Sequence, residues 1–403
     1  MSLAVNEKVE TGKTRQGTWA ILLFLTYMLA VFFLRDYNRE ASITALFGFV
    51  FGYILQRSRF CFAAGFRDIF MIRNTALTRA ILVLLLLTSL GLYAVQLTGA
   101  GALPGGGIIY PLGLHTVVGG LIFGFGLVIA GNCVSGCLMR MGEGYLMQWL
   151  TFIGLMIGSV VGAWNLGWWG PLFIEVSPEI FLPDLTGWPL TLLLYIFLIA
   201  CLYLLALYYE KGSLKQALKH KSPVFSTGAN FEGLKGMLFK GHNWSYTFGA
   251  VALSLTNIGL FYFWGKPGGI TSGLTHLAGW LYCRIGFAPC DWYYFRELAY
   301  LESRRIYIEH PLLFLSAGIV LGSFFASLLH REFRIRRVKS HKFVASALVG
   351  GMLLGYSSRV AMGCNFGGFW GGLSSFSLHA WVFGLFILIG AYFGGKFFMR
   401  YLL

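Results

Sequence analysis

Apolar residues run along this chain in unbroken blocks. The first spans Trp19 to Leu34, and others lie at about 42–56, 80–97, 113–131, 145–167, 188–209, 244–264, 311–329, 343–361 and 377–398. Continuous blocks near ~20 residues match the hydrocarbon thickness crossed by a helix, whereas barrel strands would alternate polar and apolar positions. The pattern predicts an all-α polytopic membrane protein with about ten transmembrane helices. The first block is followed by RDYNRE. That is no small-residue cleavage site, so the block reads as an uncleaved helix.

Four further stretches are apolar but broken by glycine or charge: 58–70, 130–144, 266–287 and 361–375. Irregular backbone at membrane depth is tolerated only against protein or a polar cavity. These stretches are therefore predicted to be re-entrant loops carrying half-helices.

Composition agrees. Apolar residues make up 57% and charged residues 12% of 403, about half the charge of a soluble domain. A soluble enzyme, a nucleic-acid binder and a disordered scaffold are excluded. The net charge of +15 is unevenly placed. With the N-terminus inside, the inner segments hold 23 Lys and Arg and the outer ones 7. That asymmetry predicts both termini in the cytoplasm. Basic loops that fix topology and touch anionic lipid explain most of the excess, and attraction of an anionic substrate is compatible with it.

Residues 118–136 (VGGLIFGFGLVIAGNCVSG) align with 349–367 (VGGMLLGYSSRVAMGCNFG), and seven of nineteen positions are identical, Cys133 with Cys364 among them. The spans around them group as 1–41, a cytoplasmic tail and extra first helix; 42–167, repeat 1; 168–243, a connector helix and basic cytoplasmic loop; and 244–403, repeat 2. Four spans followed by one connector place the second copy upside down. Such inverted repeats with broken helices hold midplane sites in secondary transporters.

Seven cysteines without a CxxC or a four-ligand zinc pattern argue against a disulfide framework or a metal. Cys61, Cys133 and Cys364 each sit at a helix break, which marks them as lining a substrate pathway; the rival reading is that they are buried filler. Thr271 stands where a fourth pseudo-symmetric cysteine would fall. Protonated thiols are weak donors and acceptors that suit a soft sulfur-bearing oxyanion. Secondary pathway candidates are Cys137, against a packing role; Arg57, Arg59 and Arg67, against an anchor for the second span; and Arg359, against a structural pair with Asp68 or Glu143. Asp68 and Glu143 are the acids expected near the path. His379 is expected to cap or sit at the interface, and Cys201 to fill a span. Loop 288–309 reads as an interfacial aromatic belt, and loop 210–243, with its six lysines, as a cytoplasmic surface segment.

RSRFCFAAGFRD, AGNCVSGCLMRMGEG and VAMGCNFGGFWGGLSSFSLHAW resemble the YeeE/YedE family of bacterial inner-membrane sulfur-transport proteins, from about Gly48 to Lys396. The resemblance implies thiosulfate uptake, with Cys61, Cys133 and Cys364 passing the anion along by S–H···S contacts. It also implies a small TusA-like sulfur-carrier protein as cytosolic partner. The last motif is closest to the YedE branch, which brings in a selenium compound as alternative cargo. A membrane thiol oxidoreductase is the alternative of another class, and a purely structural partner of a sulfur-relay enzyme is a further one. The expectation is a transporter, with no enzymatic activity, no cofactor and no nucleic-acid partner. Moving a dianion inward against an inside-negative potential costs roughly 2 × 2.3 kcal/mol per 100 mV, so a cytosolic sink that consumes the anion is expected to drive uptake.

Overall fold

A computed structural model describes residues 2–98, 107–211, 244–298, 310–338 and 340–402. Ten long helices carry the described residues: α1 (Ser2–Tyr37), α2 (Arg39–Ser58), α4 (Ala76–Leu97), α5 (Leu114–Ile129), α7 (Leu146–Trp169), α8 (Trp188–Lys211), α9 (Tyr246–Trp264), α11 (Pro311–Leu329), α12 (His341–Val360) and α13 (Leu378–Tyr401). Nine of the described helical stretches have the length and hydropathy of a membrane span. The exception among the ten is α2, which is 20 residues long but carries Arg39, Glu40, Gln56 and Arg57 at its ends. The protein is a multi-pass membrane protein, as the apolar blocks predict. Most of the basic loop at 210–243 and part of the aromatic loop at 288–309 lie outside the described residues.

Between the long helices lie short ones: α3 (Phe62–Met71), α6 (Val134–Gly142), α10 (Thr271–Arg284) and a π-helical segment, Asn365–Gly371, that runs on into Gly372–Ser374. Each falls in one of the four interrupted stretches.

In lipid, apolar surface alone gives helices no reason to associate, so close packing must supply it, and small residues allow it. α7 and α12 meet through Gly154, Gly158, Gly351 and Gly355. A Cβ on Gly158 would lie 2.1 Å from the Met352 carbonyl oxygen, and one on Gly355 2.2 Å from that of Leu155. Helices α2 with α11 and α5 with α13 pack on glycine in the same way. The pairs come in matched sets: α2–α11 with α4–α9, α7–α12 with α5–α13, and α3–α13 with α7–α10. α1 leans on α2 and α11 from outside this frame. A groove of ≈ 430 Å³ between α1 and α11 is lined by Trp19, Leu22, Leu23, Phe324, Leu328 and Phe333, and holds none of the cysteines.

Candidate functional site

The chain makes one local turn three times. A residue in the left-handed region breaks the helix: Arg59 (φ 52°), Gly131 (φ 74°) and Met362 (φ 60°). Two residues later comes an extended cysteine, Cys61, Cys133 or Cys364, which is the N-cap of α3, α6 or the π segment. Helix N-termini leave backbone N–H groups unsatisfied and carry partial positive charge. Each thiol thus sits at the positive end of a short helix. At Cys133 the thiol itself accepts from the Gly136 N–H, 3.4 Å away.

The three cysteines are buried, each at most 5% exposed. The Cys61 and Cys133 sulfurs are 3.9 Å apart, and the Cys61 thiol donates to Asn132 Oδ1 at 3.5 Å. The Cys133 sulfur lies 3.4 Å from Ser135 Oγ, which accepts from Asn365 Nδ2 at 3.4 Å. The Asn365–Ser135 bond ties the Cys364 loop to the Cys133 loop. Asn365 is fully buried and its Oδ1 has no partner among the described residues. Cys364 in turn lines a cavity of ≈ 230 Å³, with Tyr110, Lys266, Thr271, Ser272 and Gly363. A chain of sulfur, hydroxyl and amide groups therefore leads from the cavity into the protein.

Just before Cys61 in the sequence, Arg57 and Arg59 enter an ionic cluster. Arg59 pairs with Glu143 at 2.8 Å and Glu332 at 2.9 Å, and Arg57 with Glu332 at 3.5 Å. Gln56 donates to Glu332 at 2.9 Å. Burial pushes the Glu143 carboxyl above the usual carboxylate range, and Arg59 and Arg140 pull against it. Arg57 and Arg59 thus sit together, charge-compensated by two acids. Glu332 adds a third acid to the two expected from sequence; it belongs to the segment after α11, far from the cysteine motifs in the chain.

The other candidates scatter. Arg67 pairs with its neighbour Asp68 at 2.9 Å, on the partly exposed face of α3. The Cys137 thiol donates to the Gln148 carbonyl at 3.2 Å, a packing contact onto α7. His379 is fully buried and its Nε2 lies 3.0 Å from the Ala361 carbonyl oxygen, so it pins α13 to the turn before Cys364. Cys201 is exposed on α8.

Arg359 corrects an expectation. Its rival partners were Asp68 and Glu143, but those acids are taken by Arg67 and Arg59. Arg359 instead donates to Tyr294 OH and to Thr271 Oγ1, both at 2.6 Å. Two secondary candidates, Arg359 and Thr271, therefore touch. Sequence reasoning missed Asn132, Ser135, Asn365, Tyr294 and Glu332. Only the asparagines beside the motif cysteines, GNC and GCN, gave a signal at all.

The profile of the Sulphur transport family matches residues 57–393. The chain is 27% identical over 357 residues to "Thiosulfate transporter TsuA" of Escherichia coli (strain K12), covering 86% of this chain and 91% of that one. It is 27% identical over 375 residues to "Thiosulfate transporter TsuA" of Spirochaeta thermophila, covering 86% and 95%. A shorter likeness, 35% over 126 residues, is to "Probable transporter YedE" of Escherichia coli (strain K12), and covers 31% of this chain and 30% of that one.

Proposed function

The chain belongs to the Sulphur transport family, and from that premise we propose that it takes up thiosulfate or a related sulfur anion along a path lined by Cys364, Cys133 and Cys61. One observation carries the reading. Three cysteines in the same extended N-cap geometry are buried at helix breaks, and two of them bring their sulfurs within 3.9 Å. A neutral thiol offers a soft, weak hydrogen bond, and a helix N-terminus stabilises negative charge without a counter-ion. Together they make a row of shallow sites, each strong enough to replace part of the anion's hydration and weak enough to release it. Fixed cations along the row would trap a dianion instead.

Two relatives named as thiosulfate transporters, aligned over most of this chain, support this cargo. The matched helix pairs support an inverted repeat of 42–167 and 244–403. In this reading the protein lies in a bacterial inner membrane with both termini in the cytoplasm. The cavity opens outward, the ionic cluster faces inward, and a TusA-like carrier or another consuming reaction draws the anion off.

The test is uptake of radiolabelled thiosulfate in cells lacking other importers, at matched membrane expression. Wild type and Cys201→Ala should transport, and Cys61→Ala, Cys133→Ala and Cys364→Ala should each lose most of the rate. Normal uptake by all three variants would show that the thiols are packing. No uptake by wild type, but uptake of selenosulfate, would move the cargo to selenium.

A further inference from the structure

We propose that Arg359, acting through the Thr271 hydroxyl, makes the ≈ 230 Å³ cavity beside Cys364 a docking site selective for a doubly charged sulfur oxyanion. The inference rests on the cysteine-path reading and names what that path admits.

Arg359 is 4% exposed and lies near the end of the membrane-spanning helix α12. No carboxylate lies within 4.0 Å of its guanidinium among the described residues. Its Nε has no partner there either. An intramembrane arginine without a counter-ion is costly, and such residues mark ion pathways. The surroundings accommodate it closely. A Cβ on Gly162 would stand 2.9 Å from the Arg359 Cβ and 3.0 Å from its Cγ, so α7 leaves room there for the arginine stem. The guanidinium carbon lies 5.3 Å from the centre of the Tyr294 ring.

Arg359 does not line the cavity, but Thr271 does. Thr271 Oγ1 accepts from Arg359 Nη2 at 2.6 Å, so the hydroxyl proton must point elsewhere. Nothing among the described residues accepts it. Thr271 is also the first residue of α10, a 14-residue helix whose positive end meets the same cavity. The hydroxyl proton and the helix end therefore present donors to one small space, with an uncompensated cation directly behind them. The opposite end of the path differs, because Arg57 and Arg59 are paired there with Glu143 and Glu332. In the inverted-repeat pairing α10 corresponds to α3, which Cys61 caps. The arm that lacks a cysteine carries the charged relay instead.

The docked anion places its oxygens at Thr271 and its terminal sulfur toward Cys364, which lines the same cavity. Arg359 is a positioning residue: it polarises Thr271 and sets the potential, without contacting the anion.

The full-length protein in cells, taking up labelled thiosulfate, tests this. The competitor is methanethiosulfonate, a monoanion that keeps the terminal sulfur and has one oxygen fewer. Thr271→Val removes the hydroxyl at constant shape and leaves Arg359 in place, and Arg359→Gln removes the charge. Each should raise the KM for thiosulfate by about tenfold or more, the usual value of one hydrogen bond to a charged group. Each should also shrink the preference for thiosulfate over methanethiosulfonate, which a general packing defect would leave unchanged. Thr271→Ser should behave as wild type. The double variant should be no worse than Arg359→Gln. Thr271→Val with KM and preference both within twofold of wild type overturns the proposal, whether or not Arg359→Gln folds. Cys364→Ala in the same cells separates the two readings. Lost uptake there beside an unchanged Thr271→Val refutes this docking site alone, and retained uptake there refutes the cysteine path.

Discussion

Ser135→Ala probes the junction where the two loops meet. Ser135 and Asn365 are both buried, and the hydroxyl is the single acceptor of the Asn365 amide among the described residues. Asn365 Oδ1 already lacks a partner, so alanine would leave the whole amide unsatisfied. Stranding a buried donor costs about 1–3 kcal/mol. The Cys133 thiol would also lose its 3.4 Å neighbour and with it a constraint on its rotamer. If that energy falls on the path, uptake drops by roughly 5- to 150-fold, at tenfold per ~1.4 kcal/mol. Asn365→Leu removes the other partner and replaces it with an apolar group of similar size. The double variant should recover part of the loss, because deleting both partners is cheaper than stranding one. Uptake rates of the four proteins at equal membrane expression form a double-mutant cycle, and an interaction of about 0.5–3 kcal/mol is expected. Effects that multiply independently, within a factor of two, would show that the loops are not coupled through this bond.

Two further outcomes follow from the packing and the charges. Gly355→Leu puts a side chain where even a Cβ would lie 2.2 Å from the Leu155 carbonyl oxygen; it should destabilise the fold by the ~1–3 kcal/mol or more of an overpacked core, read as a lower melting temperature in detergent, whereas Gly17→Leu, with open space around it, should not. Burial raises the Glu143 carboxyl above its unfolded value, so its protonation favours the fold at low pH, and that contribution is lost as pH rises through the raised value. Arg59→Gln removes the cation opposing this rise and leaves a buried carboxylate less compensated. Its destabilisation relative to wild type, read by thermal unfolding between pH 4.5 and 8, should therefore be largest at high pH and shrink as pH falls; a constant difference would show that the Arg59–Glu143 pair is not what holds this end together.

Much of the architecture was legible because the membrane imposes it. Length and hydropathy mark a span whatever its neighbours, and the breaks by glycine or charge at 58–70, 130–144, 266–287 and 361–375 announce backbone that must be buried in protein. Only the α2 span is weak by composition, since its ends carry the charges used in the ionic cluster. The candidate site was legible where chemistry and chain break coincide, at Cys61, Cys133 and Cys364. It was not legible where partners come from distant segments. Glu332 reaches Arg57 and Arg59 across more than 270 positions, and Tyr294 meets Arg359 from another loop. No local pattern encodes such meetings. The left-handed residue two positions before each cysteine was equally hidden, because Arg59 and Met362 are not residue types that announce it.

The distribution of charge argues for a direction of use. A dianion entering a low-dielectric path loses most of its hydration at the mouth, so attraction helps most there. The structure keeps its uncompensated guanidinium, Arg359, next to the cavity. The other buried arginine on the path, Arg57, is matched with Glu332 at the far end. In between stand only neutral thiols, hydroxyls and amides among the residues that touch the cysteines. A uniform row of cations would hold the anion wherever it bound. Here the arginines Arg57 and Arg59 at the far end have acid partners and Arg359 has none among the described residues, so an anion held at Thr271 and Cys364 leaves the site of the unpaired guanidinium at its first step. Departure from that site is then the slow step, so weakening it should raise KM and leave the maximal rate unchanged or higher. A variant such as Arg359→Gln that loses maximal rate without any rise in KM would contradict this order of barriers.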